Sequence, residues 1–222
     1  MRPIAPRETL MEQAYKAIKA SIVNNEVQPG DNLAEERIAS QLGISRTPIR
    51  EALKRLAFEG LVELKKGSKA KVSSVTPENA YDYQLIRERL ESMAAGLASR
   101  FATAEDVERL TEICVKQKES IDERDYHQFI ELDYDFHSTV ADISQNEKLK
   151  EFIENLYSQI QRFLILTSTL SDSAIGAVEE HYRIIEAIKS NDPVLAEHSM
   201  EEHIKQVTRR IINYKQEEEV KG

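Results

Sequence analysis

The chain has 222 residues, 41% of them hydrophobic and 31% charged, with a formal net charge of −9. That length is enough to bury a sizeable core in one or two domains. A lone cysteine, Cys114, excludes an intrachain disulfide, and no run of about 20 apolar residues or secretory N-terminus is present. The expectation is a soluble, cytoplasmic protein with no membrane partner. The charge is also unevenly spread. Residues 1–75 carry 13 Lys and Arg against 9 Asp and Glu, a net of +4, and the remainder carries 17 against 30, a net of −13. A basic head on an acidic body fits a DNA reader joined to a domain with a different task.

In chain order, Leu10 to Val23 reads as an amphipathic helix with Ala14, Ile18 and Ile22 in line, ended by the turn Gln28-Pro29-Gly30. Asp31 or Asn32 is positioned to cap a short helix from Leu33 to Leu42. Gly43 supplies a tight turn, and Ser45 opens a second helix that Gly60 stops. In that second helix Ile49, Ala52, Leu53 and Leu56 share one sector at 100° per residue. Arg46, Thr47, Arg50 and Lys54 fill the adjoining one. A helix buried on one edge with arginines on the next can enter a major groove and reach phosphates or guanine edges. Leu61 to Leu64 alternates like a strand, residues 65–69 form a basic turn around Gly67, and Ala70 to Val75 can return, completing a winged helix-turn-helix over residues 1–75. Lys66 and Lys69 on that wing suit phosphate contacts. One such module reads only a few base pairs, so a homodimer on a palindromic double-stranded operator is expected.

From Thr76 and Pro77 onward, over 76–222, only helices are expected, at roughly 77–101, 104–122, 125–142, 146–169, 173–190 and 193–217. The fold class is therefore mainly α: a winged helix-turn-helix followed by an antiparallel all-α bundle. Polar residues interrupt the apolar stripes of these helices. Asp133 and His137 lie four apart beside the stripe of Phe129, Leu132, Phe136 and Val140. His181 stands in the stripe of Val178 and Ile185, His203 in that of Ala196, Met200, Val207 and Tyr214, and Arg87 in that of Tyr83, Leu90 and Ala94. His127 and His198 fall off the stripes. One Asp and three His from three helices make a nitrogen and oxygen set for a divalent metal, zinc by ligand type, with manganese or nickel also compatible. Arg87 could hold an anion beside it, bidentate if a carboxylate. No additional inward carboxylate stands out on these stripes.

The run Pro29, Gly30, Leu33, with Ile38-Ala39, Leu42-Gly43, Ser45 to Leu53 and Glu59-Gly60, resembles the GntR family of bacterial transcription regulators. The body resembles the FadR branch and its FCD ligand-binding domain, through Arg87 with Leu90-Glu91, Asp133 with Phe136-His137, Glu180-His181, and His203. The resemblance implies DNA contacts from Arg46, Thr47, Arg50 and the wing near Gly67. It also implies metal ligation by Asp133, His137, His181 and His203, and a small organic-acid effector held against the metal and Arg87. Glu36 stands where the family often has a DNA-contacting Arg, so that contact is not carried over. Three readings follow: a ligand-responsive regulator with a metal in its pocket; a metal-free regulator whose histidines bind an organic acid directly; and a metal-dependent hydrolase.

Overall fold

The structure is a computed structural model that describes residues 8–65, 69–167 and 174–221, with 214–221 as backbone only. The chain divides into two compact units, Met1–Val75 and Thr76–Gly222.

In the first unit, α1 runs Leu10–Val23. Thr9 opens it with a capping box, its hydroxyl accepting from the Glu12 N–H while the Glu12 carboxylate accepts from the Thr9 N–H. Helices α2 (Glu35–Leu42) and α3 (Arg46–Phe58) form the helix-turn-helix. Gly43 ends α2 in the left-handed region at φ 66°, its N–H returning to the Ala39 carbonyl. A side chain there would be strained, which is why the tight turn falls on glycine. The predicted buried sector of α3 is the buried one: Ile49, Ala52 and Leu56 are fully enclosed and Leu53 nearly so. They pack with Ile18 and Ile22 of α1. Each large aliphatic side chain so enclosed contributes roughly 1.5–3 kcal/mol relative to exposure.

Three short strands, β1 (Asn32–Leu33), β2 (Val62–Glu63) and β3 (Ala70–Val72), form an antiparallel sheet in the order β1-β3-β2. Here the structure corrects the sequence reading. Leu33 is not in α2: it lies in β1, paired with Ala70 and buried, so the helix starts two residues later. Neither Asp31 nor Asn32 is the cap. Ala34 occupies the N-cap position with no side-chain bond, and the Asp31 carboxylate accepts from the Gln28 N–H within the preceding turn. Ser45 is at the N-cap of α3, but its hydroxyl makes no capping bond. Leu42 is 40% exposed, not part of the core. The strands are shorter than expected because only Val62, Glu63 and Ala70 to Val72 find register partners.

The second unit is helical throughout its described residues: α4 (Pro77–Phe101), α5 (Ala104–Asp122), α6 (Tyr126–Ile143), α7 (Glu147–Thr167), α8 (Ala174–Lys189) and α9 (Pro193–Lys221). Thr76 caps α4 with Pro77 in its first turn, and Thr103 with Asp106 forms the expected capping box on α5. The expected ends of α7 and α8 at 169 and 173 lie outside the described residues, as does the side chain of Tyr214. Helix α4 packs along α9 and also meets α6, α7 and α8, while α5 beds against α6 and α8. A polar residue facing inward from α4 is therefore surrounded by helices. Among the described residues, no helix is long and apolar enough to cross a membrane.

Candidate metal centre and nucleic-acid interface

On the head, Arg46, Thr47, Arg50 and Lys54 are exposed along one side of α3, and Lys69 is exposed at the start of β3. The wing residues Lys66 and Gly67 lie outside the described residues. The two arginines do not extend freely. Glu35, the first residue of α2, accepts from Arg50 Nε at 3.0 Å and Nη2 at 2.8 Å, and from Arg46 Nη2 at 3.1 Å. Glu36 meets Arg46 Nη1 at 2.8 Å. Hydrogen bonds from Arg50 hold the Glu35 carboxyl at about 2. Because that value is depressed, the clamp's contribution is present above the unfolded carboxylate range and is lost as pH falls toward 2.

In the body, His137 of α6, His181 of α8 and His203 of α9 come together, all buried, with ligand atoms within 4.8 Å of one another. Each ring has its Nδ1 against an oxygen: Glu91 Oε2 at 2.5 Å for His137, Gln117 Oε1 at 2.9 Å for His181, and Glu180 Oε2 at 2.7 Å for His203. The Gln117 and Glu180 oxygens place the proton of His181 and His203 on Nδ1 and leave Nε2 as the ligating nitrogen, as outer partners of metal-bound histidines do. His137 Nε2 and His203 Nε2 face each other at 3.3 Å. Asp133 stands beside them, Oδ2 at 3.8 Å from His137 Nε2 and Oδ1 at 3.5 Å from His181 Nε2. Burial, then the neighbouring His203, depresses the His181 pKa; burial, then His137, depresses that of His203. Both rings are therefore neutral, the form in which imidazole binds metal.

The donor set fits a divalent ion. Bonds of 2.0–2.1 Å in a tetrahedral zinc site imply ligand-to-ligand distances of about 3.4 Å. The His137–His203 pair matches at 3.3 Å, the three histidine ligand atoms lie within 4.8 Å of one another, and Asp133, expected as a fourth ligand, falls outside that group. Cys114 is buried and not among the converging atoms, its thiol pushed up to about 12 chiefly by burial.

Next to this cluster, Arg87 is enclosed on α4. Its Nε donates to Glu91 Oε1 at 2.5 Å, its Nη1 to Gln84 Oε1 at 3.2 Å, and its guanidinium lies 4.7 Å from the Tyr157 ring centre. Arg87 Nη2 and Gln84 Nε2 are buried with no hydrogen-bond partner among the described residues. A buried donor left unmade costs about 1–3 kcal/mol, so two of them on adjacent turns of α4 can serve an acceptor.

Both halves of the chain match known families. Residues 10–72 match the gntR family of bacterial regulatory proteins, and residues 83–206 match the FCD domain. The chain belongs to the GntR family. It is similar to the transcriptional repressor RspR of Escherichia coli (strain K12), 24% identical over 96% of this chain and 93% of that one. It is 31% identical to the transcriptional regulator YdhC of Bacillus subtilis (strain 168), over 86% of each chain. Among solved structures, E. coli McbR/YncC superposes with a TM-score of 0.81 at 25% identity, covering 92% of this chain and 98% of that one. The protein is thus a GntR-type transcription regulator, a winged helix-turn-helix joined to an all-helical FCD domain.

In this GntR regulator, Glu91 and Glu180 stand in the motifs that carry the family resemblance, but periodicity assigns no role to them or to Gln117 and Tyr157. Glu91 is an inward carboxylate, 1% exposed, that does not stand out on the apolar stripes of the sequence. Burial works against its charge, but Arg87 and then His137 outweigh that and hold it well below the usual carboxylate range. It is committed to those partners, not free to act as a base. Gln117 orients His181 and also approaches Asp133 Oδ1, at 3.5 Å, while the Tyr157 hydroxyl donates to Asp133 Oδ2. The available signal was spacing. Glu91 is four residues after Arg87, and Gln117 follows Leu110, Ile113 and Cys114 on the buried stripe of α5. His127 and His198 are exposed, as expected from their positions off the stripes.

Proposed function

We propose that this GntR regulator is a homodimer that binds a two-fold DNA operator and senses a small carboxylate through a divalent metal in its FCD domain. The convergence of three buried histidines, two held through Nδ1 by Gln117 and Glu180 and the third with Nδ1 against Glu91, carries the reading. Asp133, His137, His181 and His203 would hold the metal, zinc by ligand type, with manganese or nickel compatible. The ion supplies a Lewis-acidic anchor for an anionic oxygen. Arg87 Nη2 and Gln84 Nε2 offer the neighbouring donors. Because Arg87 already gives Nε to Glu91 and Nη1 to Gln84, an effector takes the remaining Nη2 or displaces one of them.

Helix α4 carries Gln84, Arg87 and Glu91 and begins at Pro77, two residues after the head's last residue, Val75, so it is the covalent route from pocket to DNA reader. An effector shifts DNA affinity only by binding one arrangement of the dimer better than the other. Leu85, Ile86 and Met93 are each nearly half exposed on the outer side of α4 and supply apolar surface for a second copy.

Thermal shift with a panel of small carboxylates tests the pocket. An effector at 100 times its Kd stabilises the metal-loaded protein by about 2.7 kcal/mol. The shift is expected to vanish with chelator; a shift that survives chelation favours histidines binding the acid directly. For the head, Arg50→Ala is expected to cost roughly 1–3 kcal/mol on a duplex selected by the wild-type protein from a randomised pool, and to relax one position per half-site. Lys69→Ala is expected to weaken binding to all duplexes alike and to flatten the salt dependence. An Arg50→Ala variant with unchanged affinity contradicts the groove-facing assignment.

A further inference from the structure

We infer that Glu35 sets how sharply this regulator separates its operator from other DNA. It would do so by holding the groove-facing arginines of α3 in one orientation and by repelling phosphate beside them. The inference rests on Arg46 and Arg50 facing DNA, and it concerns a residue of the other helix of the pair. Glu35 occupies the first turn of α2, and both of its oxygens are engaged by guanidinium groups. The Arg50 contact is the two-point fork that carboxylates and guanidinium groups make in their strongest geometry, through Nε and Nη2.

That choice of atoms has a consequence for recognition. A guanidinium has five N–H donors, and Glu35 takes one from Nε and one from Nη2 of Arg50. The end-on pair, Nη1 with the second hydrogen of Nη2, stays open. It matches the paired acceptors O6 and N7 of guanine. The carboxylate also stops the side chain from swinging freely, so less freedom is lost when the base contact forms.

The same charge treats the two available targets differently. A phosphate approaching Arg50 or Arg46 meets the Glu35 carboxylate, which stays ionised because its pKa is held at about 2. A neutral guanine edge meets no such like-charge repulsion. The surrounding concavity is lined by Arg46, Arg50, Lys54 and Lys69, cations that attract any DNA backbone, with Glu35 and Glu36 as its acidic members. A repulsive element inside an otherwise attractive surface raises discrimination at the expense of general affinity. Glu36 is the weaker partner, 67% exposed and, among the described residues, ion-paired with Arg46 at 2.8 Å.

The test uses Glu35→Gln in the full chain, which keeps the side-chain shape and removes the charge. Its probes are the duplex selected by the wild-type protein and a scrambled duplex of equal length and composition. The expected result is a gain of about tenfold in affinity for the scrambled duplex, equivalent to about 1.4 kcal/mol. The ratio of the two affinities falls by at least as much, and the salt slope on the scrambled duplex steepens by about one charge. Glu36→Gln is expected to move the ratio in the same direction by less. Damage to the fold cannot raise affinity for scrambled DNA, so the gain separates this role from a structural one. An unchanged ratio in both variants, or a parallel loss on both duplexes, overturns the inference. Arg50→Ala run alongside distinguishes the causes: if it loses operator affinity while Glu35→Gln leaves the ratio unchanged, the arginines face DNA and Glu35 is not the discriminator.

Discussion

Arg87→Ala is expected to destabilise the helical body by about 3–5 kcal/mol, the range for removing one partner of a buried ion pair. Arg87 and Glu91 are each about 1% exposed, on the helix that packs against α6, α7, α8 and α9. Truncating Arg87 leaves Glu91 with His137 Nδ1 as its remaining ionic contact and opens a void under the Tyr157 ring. The double variant Arg87→Gln with Glu91→Gln removes both charges together and is expected to recover most of the loss. Urea unfolding followed by far-ultraviolet circular dichroism measures both. A loss below about 1 kcal/mol for the single variant would mean that Glu91 is not carried by Arg87. The control matters for the sensing reading, because a failed effector response in Arg87→Ala is interpretable only beside a variant of normal stability.

His181→Ala is expected to abolish stabilisation by added divalent metal. For the wild-type protein, a metal at 1,000 times its Kd adds about 4 kcal/mol to the stability of the folded state. His181 is fully enclosed, stacked on Phe136 with ring centres 4.0 Å apart and held through Nδ1 by Gln117. The melting temperatures of wild type and variant should separate in zinc and draw closer in chelator. A variant that keeps the full metal-dependent shift would remove His181 from the ligand set.

Much of this was legible in the sequence because it depends on local rules. The span of α1, the buried and cationic sectors of α3 and the Thr-Pro and Thr-Asp helix starts follow from periodicity and capping within a few residues. The same periodicity brought His137, His181 and His203 to inner faces, and the structure brings them together. What was missed depends on partners distant in sequence. Leu33 is equally at home in a helix or a strand, and only pairing with Ala70 decides between them. Glu91 does not stand out on the stripe of α4, and is inside because Arg87 from its own helix and His137 from α6 meet it there. Nothing in the local sequence pattern singles out Glu35, and its grip on Arg50 exists because the turn at Gly43 brings α3 alongside α2.

The central claim is that the histidine cluster of the FCD domain holds a metal. The direct measurement is elemental analysis of full-length protein purified without chelator and without a metal-affinity tag, beside His181→Ala prepared identically. The account predicts one divalent ion per wild-type chain and a stoichiometric loss in the variant. Wild-type protein with no stoichiometric metal, or a variant that retains it, would contradict the claim.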